Sequence, residues 1–343
     1  FLVISILIIA FVFPLLKFMG QKQEIVSQTA QYIRLEAVAI QISVLFRFIS
    51  IVLILFKRNG KLLTLLAIQM IMTILSDTLL VSTLPISLKI GVNGIAIGNI
   101  CVNLVLVIVG LNMLHHDGIN VVSKEKNNFV WLKDWIRIGG LSGFESFVRN
   151  SAFTVMIIRM INMVQEQGTF WVANNFIWGW LLLPILTLGE LIKRNTAEDP
   201  RSIKRSMPAY ILLTTGICVL WLATMPSWSI FVQKVMNVGS YQNVVRVVII
   251  SFGFYIIFAY NNIIDSIFYG LGRTDLMLYQ SLLVNTIFYG GLYVAFKLGL
   301  FAPTLDRIAI MFGVGMAIDS IITFVMYWIL SRRNRLVSIE ALQ

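Results

Sequence analysis

Four carboxylates interrupt apolar runs in this sequence: Asp77 in IMTILSDTLL, Glu145 in SGFESFVRN, Asp265 in YNNIIDSIFYG and Asp319 in GMAIDSIITF. Placing such a group in hydrocarbon costs about 2.5–3.5 kcal/mol on insertion scales, so it is kept where it faces protein interior or water. There it can hold a proton or a hard cation, which prefers oxygen ligands. Ser76 and Thr78 flank Asp77 with hydroxyls. Asn261 and Asp265 are four residues apart, so an amide and a carboxylate share one helix face. Asp77, Asp265, Glu145 and Asn261 are therefore the candidate cation-coupling residues, with Na+ at Asp77 or Asp265. The competing readings are structural: a helix-end hydrogen bond for Asp77 and a polar interhelical contact for Asp265.

Glu145 and Arg149 lie about 40° apart on a helix, and Arg159 falls about 40° to the other side of Glu145. The pair could act as a conformational switch, because protonating Glu145 would free Arg149. An internal salt bridge with no further role is the plainer alternative. Asn174, Asn175 and Trp178, in FWVANNFIWGWLLLP, combine amides with aromatic rings. Such a surface could hold a flat amphipathic cation by stacking and cation–π contact, or could equally be an aromatic belt. Asn150 and Asn262 add two further amides to the substrate-binding candidates. No catalytic residue is assigned.

The elements that carry these residues must be membrane helices. Of 343 residues, 58% are hydrophobic and 13% charged, and the mean hydropathy is +0.86. Soluble domains carry about 25% charged residues. Ten apolar runs predict an all-α integral membrane protein with helices near 1–19, 26–56, 62–84, 92–114, 131–163, 168–193, 207–235, 241–269, 275–299 and 303–330. Pro14 and Pro184 are expected to bend their helices. Cys101 and Cys218 sit in apolar runs without metal-ligand spacing.

The net charge of +11 does not imply nucleic acid, because the basic residues gather at helix ends. Of 27 Lys and Arg, 16 fall in one set of alternate connections, 6 in the other and 5 inside helices. The positive-inside rule places the first set, and the C-terminus, in the cytoplasm. The expected organisation is an N-lobe over 1–114, a cytoplasmic linker over 115–130, and a C-lobe over 131–343. The C-lobe starts with an interfacial segment containing Trp131 and Trp135 and ends in a short basic tail.

A faint duplication relates the lobes. FKRNGK (56–61) aligns with FYGLGR (268–273) at an offset of 212 residues, and Arg34 then falls on Arg246. An offset of this size holds six helices, so two parallel six-helix bundles are expected, with two helices preceding Phe1. Facing bundles of this kind suit alternating access.

On these residues the chain resembles the multidrug and toxic compound extrusion (MATE) family, within the wider flippase-exporter superfamily. YNNIIDSIFYGLGRTDLMLYQSLLVN resembles the junction of the family's tenth and eleventh helices. ILSDTLLVSTLPISLKIGVNGIAIGN resembles its fifth-to-sixth helix region, and RIGGLSGFESFVRNSAF the start of its seventh helix. The resemblance covers the chain from the family's third helix onward. It implies an antiporter exporting small amphipathic, usually cationic compounds in exchange for Na+ or H+. It also implies a bacterial inner-membrane protein acting as a monomer in the lipid bilayer, without a cofactor. In one branch a seventh-helix carboxylate takes part in cation coupling; here that position falls near Arg149, which would repel a cation. Asp319 has no counterpart in the family pattern.

Two other functions compete. A lipid-linked oligosaccharide flippase of the same architecture would need a basic cavity, for which Arg34, Arg47, Arg149, Arg159 and Arg246 are available. Against a membrane-embedded transferase, both histidines lie in the linker and no nucleophile motif is present.

Overall fold

In hydrocarbon a backbone must satisfy its own hydrogen bonds, which leaves the helix as the default for runs this apolar. The computed structural model describes residues 2–82, 84–119 and 129–332. They form ten helical rods close to the expected boundaries. These are α1 (Leu2–Phe18), α2 (Gln23–Leu55), α3 (Asn59–Leu80), α4 (Val92–His116) and α5 (Trp131–Val164). There follow α6 (Gln167–Leu181 with Leu183–Glu198), α7 (Ser202–Val235), α8 (Tyr241–Gly270), α9 (274–297) and α10 (Leu305–Arg332). Seven rods are long and apolar enough to cross a membrane, eight with α6 taken as one span, whereas α1 is apolar but only 17 residues long. Residues 120–128 of the expected linker and the basic tail lie outside the described residues.

The chain divides into two units, Phe1–Asn127 and Asn128–Gln343. In the first, α4 packs against both α2 and α3 over a core of Phe46, Ile49, Leu53, Leu65 and Leu106. In the second, α8 packs against α6, α7 and α10, and Trp221 and Trp228 meet Phe252 edge-on at 6.2 and 5.4 Å between ring centroids. Many outward Leu, Ile and Phe side chains remain exposed, as suits helices whose solvent is lipid.

Both expected proline bends are present. Pro14 lacks an amide donor and crowds the preceding turn, and α1 kinks at Phe11. Pro184 opens the second half of α6, which is bent by 51° from the first.

The two turns matched in the sequence close in the same way, a closure that also ends helices at Gly20, Gly118 and Gly299, but they match at a different register from the one expected. The α2–α3 turn places Lys57 at φ 56°, with Lys57 N donating to Ile54 O and Arg58 N to Leu53 O. The α8–α9 turn places Gly272 at φ 69°, with Gly272 N donating to Tyr269 O and Arg273 N to Phe268 O. The next helices begin at Asn59 and Thr274, after arginines of nearly equal backbone angles (Arg58 φ −88°, ψ 49°; Arg273 φ −82°, ψ 53°). The offset in this turn is therefore 215 residues, from Lys57 to Gly272 and from Arg58 to Arg273. Matching Gly60 to Gly272 misplaced it by three, because in the first unit a lysine takes the left-handed position that closes the helix.

π-helical segments interrupt four rods, at Phe153–Ile158, Ile177–Leu181, Phe231–Val235 and Val284–Tyr289. The first separates Arg149 from Arg159, so the α-helical phase that placed Arg159 beside Glu145 does not hold.

Candidate functional site

Four helices of the second unit bring polar side chains together inside an apolar bundle. From α5, Glu145 is 2% exposed, and its Oε1 accepts from Arg149 Nη1 at 2.8 Å. Its Oε2 accepts from the Tyr269 hydroxyl of α8 at 3.2 Å and from the Ser146 hydroxyl at 3.3 Å. Arg149 itself is 58% exposed, so the guanidinium stays at the edge while the carboxylate is buried.

One helical turn before Tyr269, Asp265 accepts from Asn261 Nδ2 at 2.9 Å through Oδ2. Its Oδ1 lies 3.4 Å from the Thr323 hydroxyl of α10, which also donates to the Asp319 carbonyl at 3.1 Å. The Gln280 side chain of α9 neighbours the Asp319 carboxylate. Three carboxylates thus share the region with the Arg149 guanidinium, and Lys193 Nζ lies 5.3 Å from the Tyr269 ring centroid. Crowded acids in a low-dielectric interior attract a proton or a cation.

The structure thus gathers Glu145, Arg149, Asn261 and Asp265 from the sequence candidates and adds Tyr269, Gln280, Asp319 and Thr323. Asp319 was visible as an acid in an apolar run. Gln280 and Thr323 were not singled out: an uncharged polar residue in a helix becomes conspicuous only when its neighbours are known. Thr323 has one sequence signal, its place four residues after Asp319, and Gln280 has none.

The remaining candidates lie elsewhere. Asp77 is exposed near the end of α3 in the first unit. Asn150 Nδ2 donates to Ser146 O at 2.7 Å within its own helix. Asn262 Nδ2 donates to Ile185 O at 3.0 Å, serving the broken helix α6. Trp178 packs against Tyr255 and Phe258 of α8, with centroids 6.4 and 5.5 Å away, while Asn174 is half-buried and Asn175 exposed. Among the described residues, no group of three or more His, Cys, Asp or Glu is arranged to hold a metal ion.

The first unit has its own polar cleft of about 370 Å³, lined by Glu36, Ser43, Arg47, Gln69, Asn99 and Asn103. Asn99 Nδ2 lies 3.2 Å from both Glu36 carboxylate oxygens. Sequence reading passed over Glu36 because α2 is more mixed in composition at that point. The arginines that could have built a basic cavity are engaged in different ways. Arg149 pairs with Glu145, Arg246 with Asp306, Arg34 lies over the Phe13 ring, and Arg47 lines the cleft that also contains Glu36.

Neither a protein-family model nor a curated protein sequence matches the chain. Solved structures do. A multidrug resistance MATE family transporter of the MOP superfamily, in an inward-facing conformation, aligns over 98% of this chain and 78% of its own at 16% identity, with a TM-score of 0.69. A MOP superfamily transporter from Pyrococcus furiosus, described as having a binding pocket of reversed polarity, aligns over 98% and 76% at 18% identity, with a TM-score of 0.72. A MATE protein in its bent conformation aligns over 100% and 77% at 17% identity, with a TM-score of 0.65. The chain has the fold of these transporters and spans about three quarters of their length.

Proposed function

We propose that the chain is a secondary antiporter of the MATE type, exporting small amphipathic, cationic organic compounds in exchange for Na+ or H+. The observation that carries this reading is the polar cluster around the half-buried Asp265. A transporter of this kind needs a site whose charge changes when the coupling ion arrives. Carboxylates held by amides and hydroxyls between membrane helices can supply it. Cation uptake would neutralise charge shared by α5, α8, α9 and α10 and so change which helix arrangement is favoured.

The Glu145–Arg149 pair fits a conformational role better than direct ion binding, because both carboxylate oxygens are already engaged. Trp178 and the neighbouring amides remain the candidate contacts for a flat substrate. The protein would work as a monomer in the bacterial inner membrane, with its C-terminus in the cytoplasm and without a cofactor. The ion pairs of Arg149 with Glu145 and of Arg246 with Asp306 argue against a pyrophosphate-binding cavity and hence against a lipid-linked sugar flippase.

The test is reconstitution of the full chain in proteoliposomes under an imposed Na+ or H+ gradient, with ethidium as the organic cation and a lipid-linked oligosaccharide as the competing cargo. Gradient-dependent ethidium movement is the expected result. Oligosaccharide flipping without ethidium movement would overturn the antiport reading.

A further inference from the structure

The polar cleft of the first unit has no part in the antiport reading as stated. Its volume of about 370 Å³ lies in the range of small-molecule sites. Glu36, Ser43 and Arg47 line it from α2, Gln69 from α3, and Asn99 and Asn103 from α4. Because α2 is α-helical throughout, residues 36, 43 and 47 fall within about 20° of one line along its face. Ala39 and Phe46, which are buried, supply the apolar part of the wall between them.

The two charges of the cleft stand at opposite ends and do not pair. Eleven residues of helix separate Glu36 from Arg47, about 16 Å along the axis. Glu36 is held by an amide: Asn99 Nδ2 lies 3.2 Å from both carboxylate oxygens, and Asn103 Nδ2 donates to Asn99 O at 2.7 Å. Arg47 is exposed, and among the described residues no carboxylate, carbonyl or ring engages its guanidinium. It lies about 12 Å inside the end of α2 at Leu55, a depth at which an unpaired arginine is costly. A pair meant only to neutralise itself needs a spacing of three or four residues, as at Glu145 and Arg149.

Helix packing does not call for these charges. At the register set by the matching turns, the second unit carries Ser251, Phe258 and Asn262 on this face of α8. There Phe258 packs on Trp178 and Asn262 donates to Ile185 O.

A carboxylate and a guanidinium held apart are neutralised together by one molecule that carries a cation at one end and an anion at the other. The guanidinium offers a planar fork to a carboxylate. Glu36 offers a counter-charge to an ammonium or delocalised cation. Between them, Gln69, Asn99 and Asn103 present donors and acceptors to an uncharged middle. The spacing exceeds that of the adjacent charges in a free α-amino acid and suits a flat organic zwitterion.

We propose that the first-unit cleft binds a zwitterionic organic molecule, with Arg47 receiving its carboxylate and Glu36 its cationic group. Arg47 is then the residue that selects a dipolar ligand over a simple cation. The proposal rests on the antiport reading and narrows its substrate to organic cations that also carry an anion.

Rhodamine B and its methyl ester test this, because they share one cationic ring system and only rhodamine B has a free carboxylate. Each is titrated at neutral pH against the purified full chain in detergent, read by fluorescence anisotropy, with thermal unfolding as the check on folding. Wild type should bind rhodamine B about tenfold or more tighter than the ester, the ratio a charge-assisted hydrogen bond supplies. R47Q should lower rhodamine B binding to the level of the ester and leave ester binding unchanged. R47K should keep part of the preference, and E36Q should weaken both dyes by about tenfold. Partition into the micelle is common to all variants and cancels in the comparison. Equal or absent binding by wild type, a preference that survives R47Q, an equal loss of both dyes in R47Q, or ester binding untouched by E36Q would overturn the proposal. If wild type lacks the preference while a gradient moves ethidium, the cleft assignment falls and the antiport reading stands. If the Arg47-dependent preference is present but no gradient moves ethidium or either dye, the cleft assignment stands and the antiport reading falls.

Discussion

Leu65 and Gln280 each lie seven residues after an arginine that closes a helix–turn–helix, and both are buried. Around Leu65 the first unit assembles Phe46, Ile49, Leu53 and Leu106 into an apolar core. Near Gln280 the second unit assembles Asn261, Asp265, Asp319 and Thr323. One backbone design thus tolerates either filling. Helix length and turn closure come from the backbone pattern, while the polar filling is an addition that burial alone would disfavour. In the second unit it brings orphaned acceptors at Asn261 and Gln280 and crowded acids, which a cation could relieve.

Exchanging residues between the units should give unequal results. Leu65→Gln would put an amide into an apolar core without partners, and unfolding measured in detergent should show a loss of about 3 kcal/mol. Gln280→Leu should cost less, about 1–2 kcal/mol, because the new side chain packs in an apolar bundle but takes a polar partner from the Asp319 carboxylate. Equal losses at the two positions would break the comparison.

The turns themselves allow a smaller test. Lys57 holds a left-handed conformation that Gly272 adopts without a Cβ penalty. Lys57→Gly should therefore stabilise the first unit by about 1 kcal/mol and Gly272→Ala should cost about the same, read from shifts in thermal unfolding. Like signs would show that the left-handed conformation at Lys57 carries no strain that glycine relieves.

The smallest effect concerns how the two matching arginines are held. Arg273 pairs with Asp275 two residues on, whereas Arg58 and Lys61 reach Asp117 at the end of α4, at 3.2 and 2.7 Å. The Lys61 hydrogen bond, aided by the charges of Arg58 and Lys61, holds the Asp117 carboxyl below the usual carboxylate range. Because the folded value lies below the unfolded one, the stabilisation is fully present above about pH 4 and is lost as pH falls through the folded value. Asp117→Asn should flatten the acid limb of a pH-dependent unfolding curve in that window. An unchanged limb would show that this contact contributes nothing to stability.

Most of the fold was legible in the sequence because apolar length and charged punctuation determine where membrane helices begin and end. The α8 and α9 boundaries, for example, fall within a few residues of expectation. Proline placement was equally readable, at Phe11 and at the break in α6. The repeat register was misread because glycine identity stood in for backbone conformation, and Lys57 broke that link. The π-helical turn at Phe153–Ile158 has no signature in side-chain type, so Arg159 was assigned to the wrong helical phase. Half of the polar cluster could be anticipated, since an acid among Ile and Phe is conspicuous. Gln280 and Thr323 were hidden because their significance comes from what α8 and α10 bring beside them.

The central claim is that the Asp265 cluster couples cation entry to substrate export. It is tested most directly by ethidium transport in proteoliposomes, comparing wild type with Asp265→Asn under an imposed Na+ or H+ gradient. The account predicts gradient-driven transport in wild type and a fall of about tenfold or more in the variant, with ethidium binding retained. Transport by Asp265→Asn at the wild-type rate would contradict it.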